Sequence, residues 1–473
     1  MNYYRNAPRR TSTGRCLASA RDVSSTLRGA VSAAALIVLF LSADVATGEA
    51  AFSGELQPEV GLSIPHRDNY ESPLNPGNVL GVRDVTFRSE INLQLTDTGE
   101  TGALDVWLQL KQYPIAELLT GVSSATAGAS GATESEILAL EQAVADIAFT
   151  DDAYIYTVDL LRASAAWTPT TALRVTLGRQ SYLTGYGYGW NPVDLANPPK
   201  DPTDADAALR GVDGLTVQYA HEGWLLAKVY GALPTDGRGW DYDELLAGAE
   251  LTLLARAAEI KVAGLYGGVE RSSDAVDTHP AAAAAGLYAD VGGVGLYGEG
   301  VVRSRSRRTA PEATGAETTM RDGPIPSGLL GLEYYFPAGP SLVAEYFYNG
   351  EGWDRDQRRD YANALDALDD AGGITGEYCA LYTPSYFARH YGLLNLTIPW
   401  YDVDTTFDVN LIYSPDSHAL FVTPTVSVNL NYEGTLSTEL RYGGQFSLDD
   451  GERNEVWLSP VRHGVVWSVQ YFF

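Results

Sequence analysis

The chain has 473 residues, 48 of them glycine and 29 tyrosine, and carries a net charge of −28 at pH 7. An acid excess of that size excludes nucleic acid as a partner, because nucleic acid demands basic patches. There are only two cysteines, Cys16 in the N-terminal segment and Cys379 in a predicted loop, so no internal disulfide is expected after export.

Residues 1–50 read as a signal peptide. Arg5, Arg9, Arg10, Arg15, Arg21 and Arg28 precede an apolar core from Ala30 to Ala43, which is short for a bilayer span but fits a signal core. Gly48 and Ala50 supply the small residues for cleavage before Ala51, which leaves 51–473 as one domain. Subtracting six arginines and three acids (Asp22, Asp44, Glu49) leaves 26 basic and 57 acidic residues, net −31. Beyond Ala51 no apolar run of about 18 residues occurs, so no transmembrane helix is expected.

Eighteen segments then alternate an apolar with a polar face, the period of a strand. They cover 54–64, 85–97, 102–113, 153–168, 172–183, 213–221, 224–234, 245–256, 259–270, 281–291, 294–304, 328–337, 341–351, 386–399, 402–413, 419–432, 435–447 and 462–473. Even-numbered strands hand over by tight turns such as 168–171, Gly292-Gly293 and 337–340. Odd-numbered strands usually hand over by long polar stretches, among them 65–84, 114–152, 184–212, 305–327, 352–385 and 448–461. Short turns at one end and long loops at the other are the asymmetry of a transmembrane barrel. The polar faces are expensive to bury dry and natural beside a water-filled lumen. In 85–97, Arg88, Glu90, Asn92 and Gln94 oppose Phe87, Ile91, Leu93 and Leu95. The fold class expected is all-β, an antiparallel up-and-down transmembrane barrel of about 18 strands. Sixteen is the alternative, because 245–304 alternates weakly.

Two loops carry helical spacing. A capping box at Thr133–Glu136 precedes Ile137, Leu140, Val144 and Ile147, and a second helix covers 361–373. Both read as solvated surface helices, and the first has a second reading as a lumen constriction. In the stretch 173–199, Arg179 arrives where an outward residue is due, just after Gly178. A glycine bulge there turns it inward. Arg162 on the preceding strand shares the phase of Val158 and Leu160. Counting back from the 168–171 turn places Arg162, Arg179 and Asp159 close together. An arginine facing mid-bilayer lipid costs about 2–4 kcal/mol, so both are expected in the lumen.

By phase, inward acids and bases are comparable in number. The pore-lining candidates are Asp159, Arg162, Arg174, Arg179, Glu439 and Arg441, with Asp402, Asp404 and Asp408 as a single-sign column on one strand. That column either favours cations or forms part of a cross-strand ion-pair ladder. The acidic clusters 366–370 and 449–455 fit no defined cation loop and read as solvated faces. The histidines have no metal spacing, no phosphate loop occurs, and no cofactor is expected. His390 and His463 are rim candidates for a hydrolase by residue type alone, and the chain is read as a non-enzyme.

The last stretch, Val461–Phe473, is a strand that ends the chain on an aromatic residue. It resembles the closing strand of Gram-negative outer-membrane β-barrels. The residues Gly178-Arg179-Gln180, the Gly/Tyr run 185–189 and Trp190–Asp194 are similar to the motif hairpin of outer-membrane porins and alginate-export-like channels. This resemblance covers about thirty residues. It implies an eighteen-stranded channel in the outer membrane with loop 184–212 folded inward, and it carries no substrate; the function expected of the whole chain is passive passage of small hydrophilic solutes or ions. It also implies contact with outer-membrane lipid and lipopolysaccharide, and recognition of Phe473 by the barrel-assembly machinery. An oligomer of identical chains remains open. Without a continuous basic ladder, polysaccharide export is a weaker alternative, beside a surface barrel whose loops serve adhesion or recognition.

Overall fold

The computed structural model describes residues 49–65, 72–74, 82–99, 101–114, 154–182, 184–197, 199–203, 210–233, 245–267, 281–311, 318–370, 382–449 and 453–473. The expected signal peptide up to residue 48, the helix over 133–147 and Cys379 lie outside them.

Eighteen antiparallel strands form one sheet that closes on itself. They are β1 (Glu49–Pro65), β2 (Val85–Thr98), β3 (Gly102–Pro114), β4 (Tyr154–Thr170), β5 (Leu173–Gln180), β6 (Val212–His221), β7 (Leu225–Leu233), β8 (Leu246–Ala255) and β9 (Ala258–Gly267). Then come β10 (Ala281–Val291), β11 (Val294–Pro311), β12 (Thr318–Tyr335), β13 (Ser341–Tyr348), β14 (His390–Trp400), β15 (Thr405–Ser414), β16 (Ala419–Asn429), β17 (Leu436–Ser447) and β18 (Val461–Phe472). Each strand pairs with its sequence neighbours, and β1 pairs with β18 from Glu55 opposite Phe472 to Pro65 opposite Val461. In lipid every backbone polar group needs an internal partner, and closure removes the two free edges that an open sheet would expose.

Strand phase sorts the side chains as alternation predicts. Phe87, Val229, Ile260, Leu330, Leu394 and Trp467 stand exposed on the outer face. Glu250, Glu299, Glu345, Asn395, Asn410 and Ser468 are buried on the inner one. At the short-turn end, Trp167, Trp224, Tyr335, Trp400, Tyr432 and Tyr471 remain exposed, as an interfacial aromatic girdle does.

The seam involves the last residue of the chain. Phe473 N–H donates to the Gly54 carbonyl at 3.0 Å, Gly54 N–H donates back at 2.9 Å, and the Phe473 ring lies 6.2 Å from that of Phe52. Deleting Phe473 removes two backbone bonds at the edge where first and last strands meet. A lower yield of compact, heat-modifiable barrel on gels is the expected result, with the mobility of whatever folds unchanged.

Three expectations need correction. The loop predicted at 305–327 is largely strand, since β11 and β12 stay paired out to Pro311 opposite Thr318 beyond irregularities near Arg305. The second loop helix, α1 (Arg355–Asp370), starts earlier than its apolar spacing suggests, and one face is buried instead of solvated. Tyr361, Ala364 and Leu365 pack with Trp353, Tyr382, Phe387 and Leu458 into an apolar cluster outside the barrel wall proper. Leu458 belongs to a one-turn helix, α2 (Glu455–Leu458), capped by the Asn454 side chain. Finally, Asp402 and Asp404 do not share a strand with Asp408. Residues Tyr401–Val403 form a 3-10 turn and Asp404 is left-handed at φ 51°, so β15 begins only at Thr405.

Candidate functional site

The site is built by the connection between β5 and β6, whose described residues 182, 184–197 and 199–203 turn inward and lie against the inner faces of β7 to β15. Its centre is the alternation Gly185-Tyr186-Gly187-Tyr188-Gly189-Trp190. Two inward glutamates reach this run from the wall. Tyr186 N–H and Gly187 N–H both donate to Glu299 Oε1 on β11, the latter at 3.1 Å. Tyr188 N–H donates to Glu345 Oε1 at 2.5 Å and Gly189 N–H to Glu345 Oε2 at 2.9 Å, on β13. Tyr297 Oη donates to the same Glu345 at 2.7 Å. Consecutive backbone amides curled around carboxyl oxygens form a fixed cradle, and such hydrogen bonds contribute about 0.5–1.5 kcal/mol each. The glycines let the chain fold tightly enough to do this. A Cβ on Gly187 would come within 1.7 Å of the Trp190 carbonyl oxygen.

Trp190 completes the attachment. It is fully buried, stacks on Phe347 at 5.2 Å and tilts over Tyr391 at 5.7 Å. Its indole N–H donates to the Ser385 carbonyl at 3.2 Å. Ser385 is itself left-handed, φ 59°, and its N–H donates to the buried Glu455 carboxylate at 2.8 Å. Tyr391 Oη donates to the other Glu455 oxygen at 2.6 Å. Glu455 thus ties the loops before β14 and β18 to the inward loop, and is no member of a solvated cation cluster. Further along, Lys200 Nζ donates to the carbonyls of Gly187 and Tyr188, and Asn410 on β15 donates to the Pro202 carbonyl at 2.8 Å.

The near side of the loop is held differently. Tyr182 packs on Tyr230 at 4.9 Å, and burial pushes the Tyr182 hydroxyl up to about 12. Asp194 accepts from Asn197 N–H and Nδ2, and burial raises its carboxyl above the ordinary range against the opposing pull of those bonds. Lys261 on β9 donates to the Thr184 carbonyl at 3.2 Å and lies 4.7 Å above the Tyr186 ring.

The sequence-predicted residues fall into three groups. Arg162 reaches the inner face by a route the phase count missed. A register shift between Trp107 and Leu108 on β3 gives β4 one extra residue, at Leu161. Arg162 therefore faces inward over the Trp107 ring, 5.1 Å from its centre. Asp159 is opposite Gln109, and Arg174 opposite Gln218. Arg179 is different. Gly178 has φ 113°, yet pairing runs unbroken from Leu177–Leu215 through Gly178–Gly214 to Arg179–Asp213, so no bulge forms there. Arg179 keeps the phase of Leu177. Its guanidinium makes a two-pronged pair with Asp213 at 2.8 and 2.9 Å and donates to the Leu160 carbonyl at 3.1 Å. The partner expected from the sequence was Asp159.

The third group forms hydrogen-bonded clusters on the wall from β14 through β18 and round to β4. Asp408 accepts from Asn395 at 3.0 Å and from Thr397 at 2.6 Å. Glu439 pairs with Arg441 at 3.0 Å and accepts from Ser427 at 3.3 Å. Beside them Arg88 faces Glu59 at 3.9 Å and Lys111 faces Glu90 at 3.7 Å. Asn92 and Gln109 both donate to Glu90, at 2.8 and 2.6 Å. Among the described residues, no group of three or more His, Cys, Asp or Glu is placed to hold a metal ion.

The fold defines a class by architecture, the closed eighteen-stranded antiparallel up-and-down β-barrel. No protein-family model matches the chain, and no curated protein does. Solved structures of similar fold include OccK11 (OpdR) of Pseudomonas aeruginosa, 10% identical over 90% of this chain and 96% of that one, with a TM-score of 0.46. A mutant porin of Rhodopseudomonas blastica is 9% identical over 90% of this chain and all of its own, TM-score 0.40. Wzi of Escherichia coli, described as a carbohydrate-binding barrel involved in group 1 capsule assembly, is 12% identical over 94% of this chain and 88% of its own, TM-score 0.45. At these identities the likeness is one of fold.

Proposed function

We propose that the chain is an outer-membrane channel for small hydrophilic solutes, narrowed by residues 184–197 folded across its lumen. The observation that carries this reading is the double carboxylate cradle. Glu299 and Glu345 hold four consecutive amides of the loop against the far wall, well away from the strands that bear the loop. A loop fixed at that depth reduces the bore without sealing the wall from β16 round to β4. Phe473, at the seam, is the residue the assembly machinery would read.

Planar-bilayer recording of the folded protein tests the proposal. Discrete conductance steps are expected, and a folded barrel that passes no ions would sink it. Arg88, Lys111 and Arg441 on the inner wall are paired with acids while the chain as a whole carries −28, so any ion preference is expected to follow the acid excess. Reversal potentials should show a modest cation preference that fades as salt is raised and the acidic surface is screened. A strong preference that persists at high salt would place an unpaired charge in the constriction.

A further inference from the structure

We infer that the surface cap built by α1 and α2 latches the constriction, with Glu455 as the positioning residue that couples the two. This rests on the channel reading and adds its regulation.

The segment 382–391 lies between cap and inward loop and touches both. On the cap side, Tyr382 and Phe387 belong to the apolar cluster with Trp353, Tyr361, Leu365 and Leu458, and the Phe387 carbonyl accepts from Trp353 N–H at 2.9 Å. On the lumen side, adjacent residues hold the two limbs of the inward loop. The Ser385 carbonyl accepts the Trp190 indole N–H, and Tyr386 Oη donates to the Lys200 carbonyl at 3.0 Å. Close packing and directional hydrogen bonds leave little play, so the segment cannot shift against the cap and keep its seat on the loop. Glu455 sits where these contacts cross. It opens α2, whose Leu458 is part of the cap cluster, and its buried carboxylate takes Ser385 N–H and Tyr391 Oη. Ser385 thus gives its N–H to the cap and its carbonyl to Trp190, so a movement of α2 reaches Trp190 through one residue.

The joint carries opposing terms. Ser385 at φ 59° and His418 at φ 50° are left-handed, a conformation that non-glycine residues rarely adopt and that clusters at switch regions. The hydroxyls of Thr383, Ser385, Ser414 and Ser417 are buried with no hydrogen-bond partner among the described residues, whereas most buried polar groups are matched. Two of these hydroxyls lie on the segment 382–391 and two on the turn Ser414–His418. Asn454, which caps α2, holds that turn through the Ser417 carbonyl at 2.9 Å. Backbone strain and unmatched hydroxyls disfavour the seated joint, while the Glu455 bonds and the apolar cluster favour it. Terms of both signs meeting at one joint bring a seated and a released arrangement close in free energy. When the joint is seated, Trp190 is fixed against Phe347 and Tyr391 and the bore is narrow. When it is released, Trp190 loses its polar anchor while Glu299 and Glu345 still hold the loop amides, so the current flickers without a lasting loss of the constriction.

Single-channel recording and hydrogen exchange on the folded protein test the latch together. Leu365→Ala thins the cap cluster, which includes no described residue of the inward loop. It should raise the frequency of brief conductance excursions about fivefold, the equivalent of one hydrogen bond. Trp190→Phe, which keeps an aromatic ring and removes the indole donor, should do the same. The double variant should flicker no more than either single one, because both release one latch, whereas independent effects would multiply. Deuterium uptake by the peptide bearing residues 185–190 should rise in Leu365→Ala by a similar factor. Glu455→Gln keeps the size of the side chain and removes its charge; it should raise both readouts, and it carries the comparison if Leu365→Ala fails to fold. A parent barrel that passes no ions, with uptake still raised by the cap variants, would overturn the channel reading and leave the coupling standing. A conducting parent whose flicker and uptake are unmoved by the cap variants would overturn the latch and leave the channel standing. Multiplying effects in the double variant, or raised uptake with an unchanged current, would overturn the latch as well.

Discussion

Replacing both Glu299 and Glu345 with alanine is expected to raise single-channel conductance several-fold and to make it noisy. Each carboxylate accepts two backbone amides from the Gly/Tyr run, and Glu345 accepts the Tyr297 hydroxyl as well. Truncation leaves those amides in a site from which water is largely displaced, at about 1–3 kcal/mol for each unmatched group. Trp190 at the centre, with Lys261 and Asn410 towards the two ends, then opposes the entropy of the freed Gly/Tyr run, about 1–2 kcal/mol per residue. Single replacements should give intermediate conductance, because the remaining cradle still holds two amides. The glutamine variants should lie closer to the parent, since the amide oxygen still accepts. A double variant with the parent's conductance would show that the loop keeps its place without its carboxylates.

Arg179→Ala is expected to act on stability before it acts on permeation. Arg179 is 4% exposed, with both guanidinium edges spent on Asp213 and the Leu160 carbonyl. Removing one partner of a buried pair strands the other charge, a loss of about 3–5 kcal/mol. The midpoint of urea unfolding in detergent should drop accordingly. Asp213→Ala should cost a similar amount, and the double variant less than the sum, since neither charge is then left alone. Additive losses would mean the two residues contribute independently. A change in ion selectivity with no loss of stability would return Arg179 to the pore-lining set.

All eighteen strands were legible because a barrel wall between lipid and water forces a period of two on every spanning segment. Even the Ala- and Gly-rich stretch 245–304 kept enough alternation, with Leu251, Leu253, Ile260 and Val262 outward. Phase counting failed where backbone geometry changes without a change of composition. The extra residue at Leu161 moved Arg162 inward, although nothing in Asp159–Ala163 marks a bulge. Asp402-Val403-Asp404 mimics alternation but is a turn, because Asp404 takes a left-handed conformation that Asp tolerates. Glu299 and Glu345 were legible as inward acids, but their task was not. The amides they hold lie 112 and 156 residues away in the chain, and backbone donors leave no trace in side-chain pattern. The one available signal was the glycine alternation from Gly185 to Gly189, where a chain without side chains at every second position can curl around an oxygen.

Those separations also set an order of events during folding. Residues 186–189 are synthesised long before β11 and β13, and their carboxylate partners do not converge until the wall between them has curved round. A contact so distant in the chain costs closure entropy that only the neighbouring strand pairs can offset. The inward loop must therefore wait, unsatisfied, while the sheet grows past it. Its docking reports that the far wall is in register, since a slip of one residue would turn Glu299 and Glu345 outward to lipid. The bonds from these four amides to Glu299 and Glu345 can therefore form only after the strands that carry the carboxylates are in place.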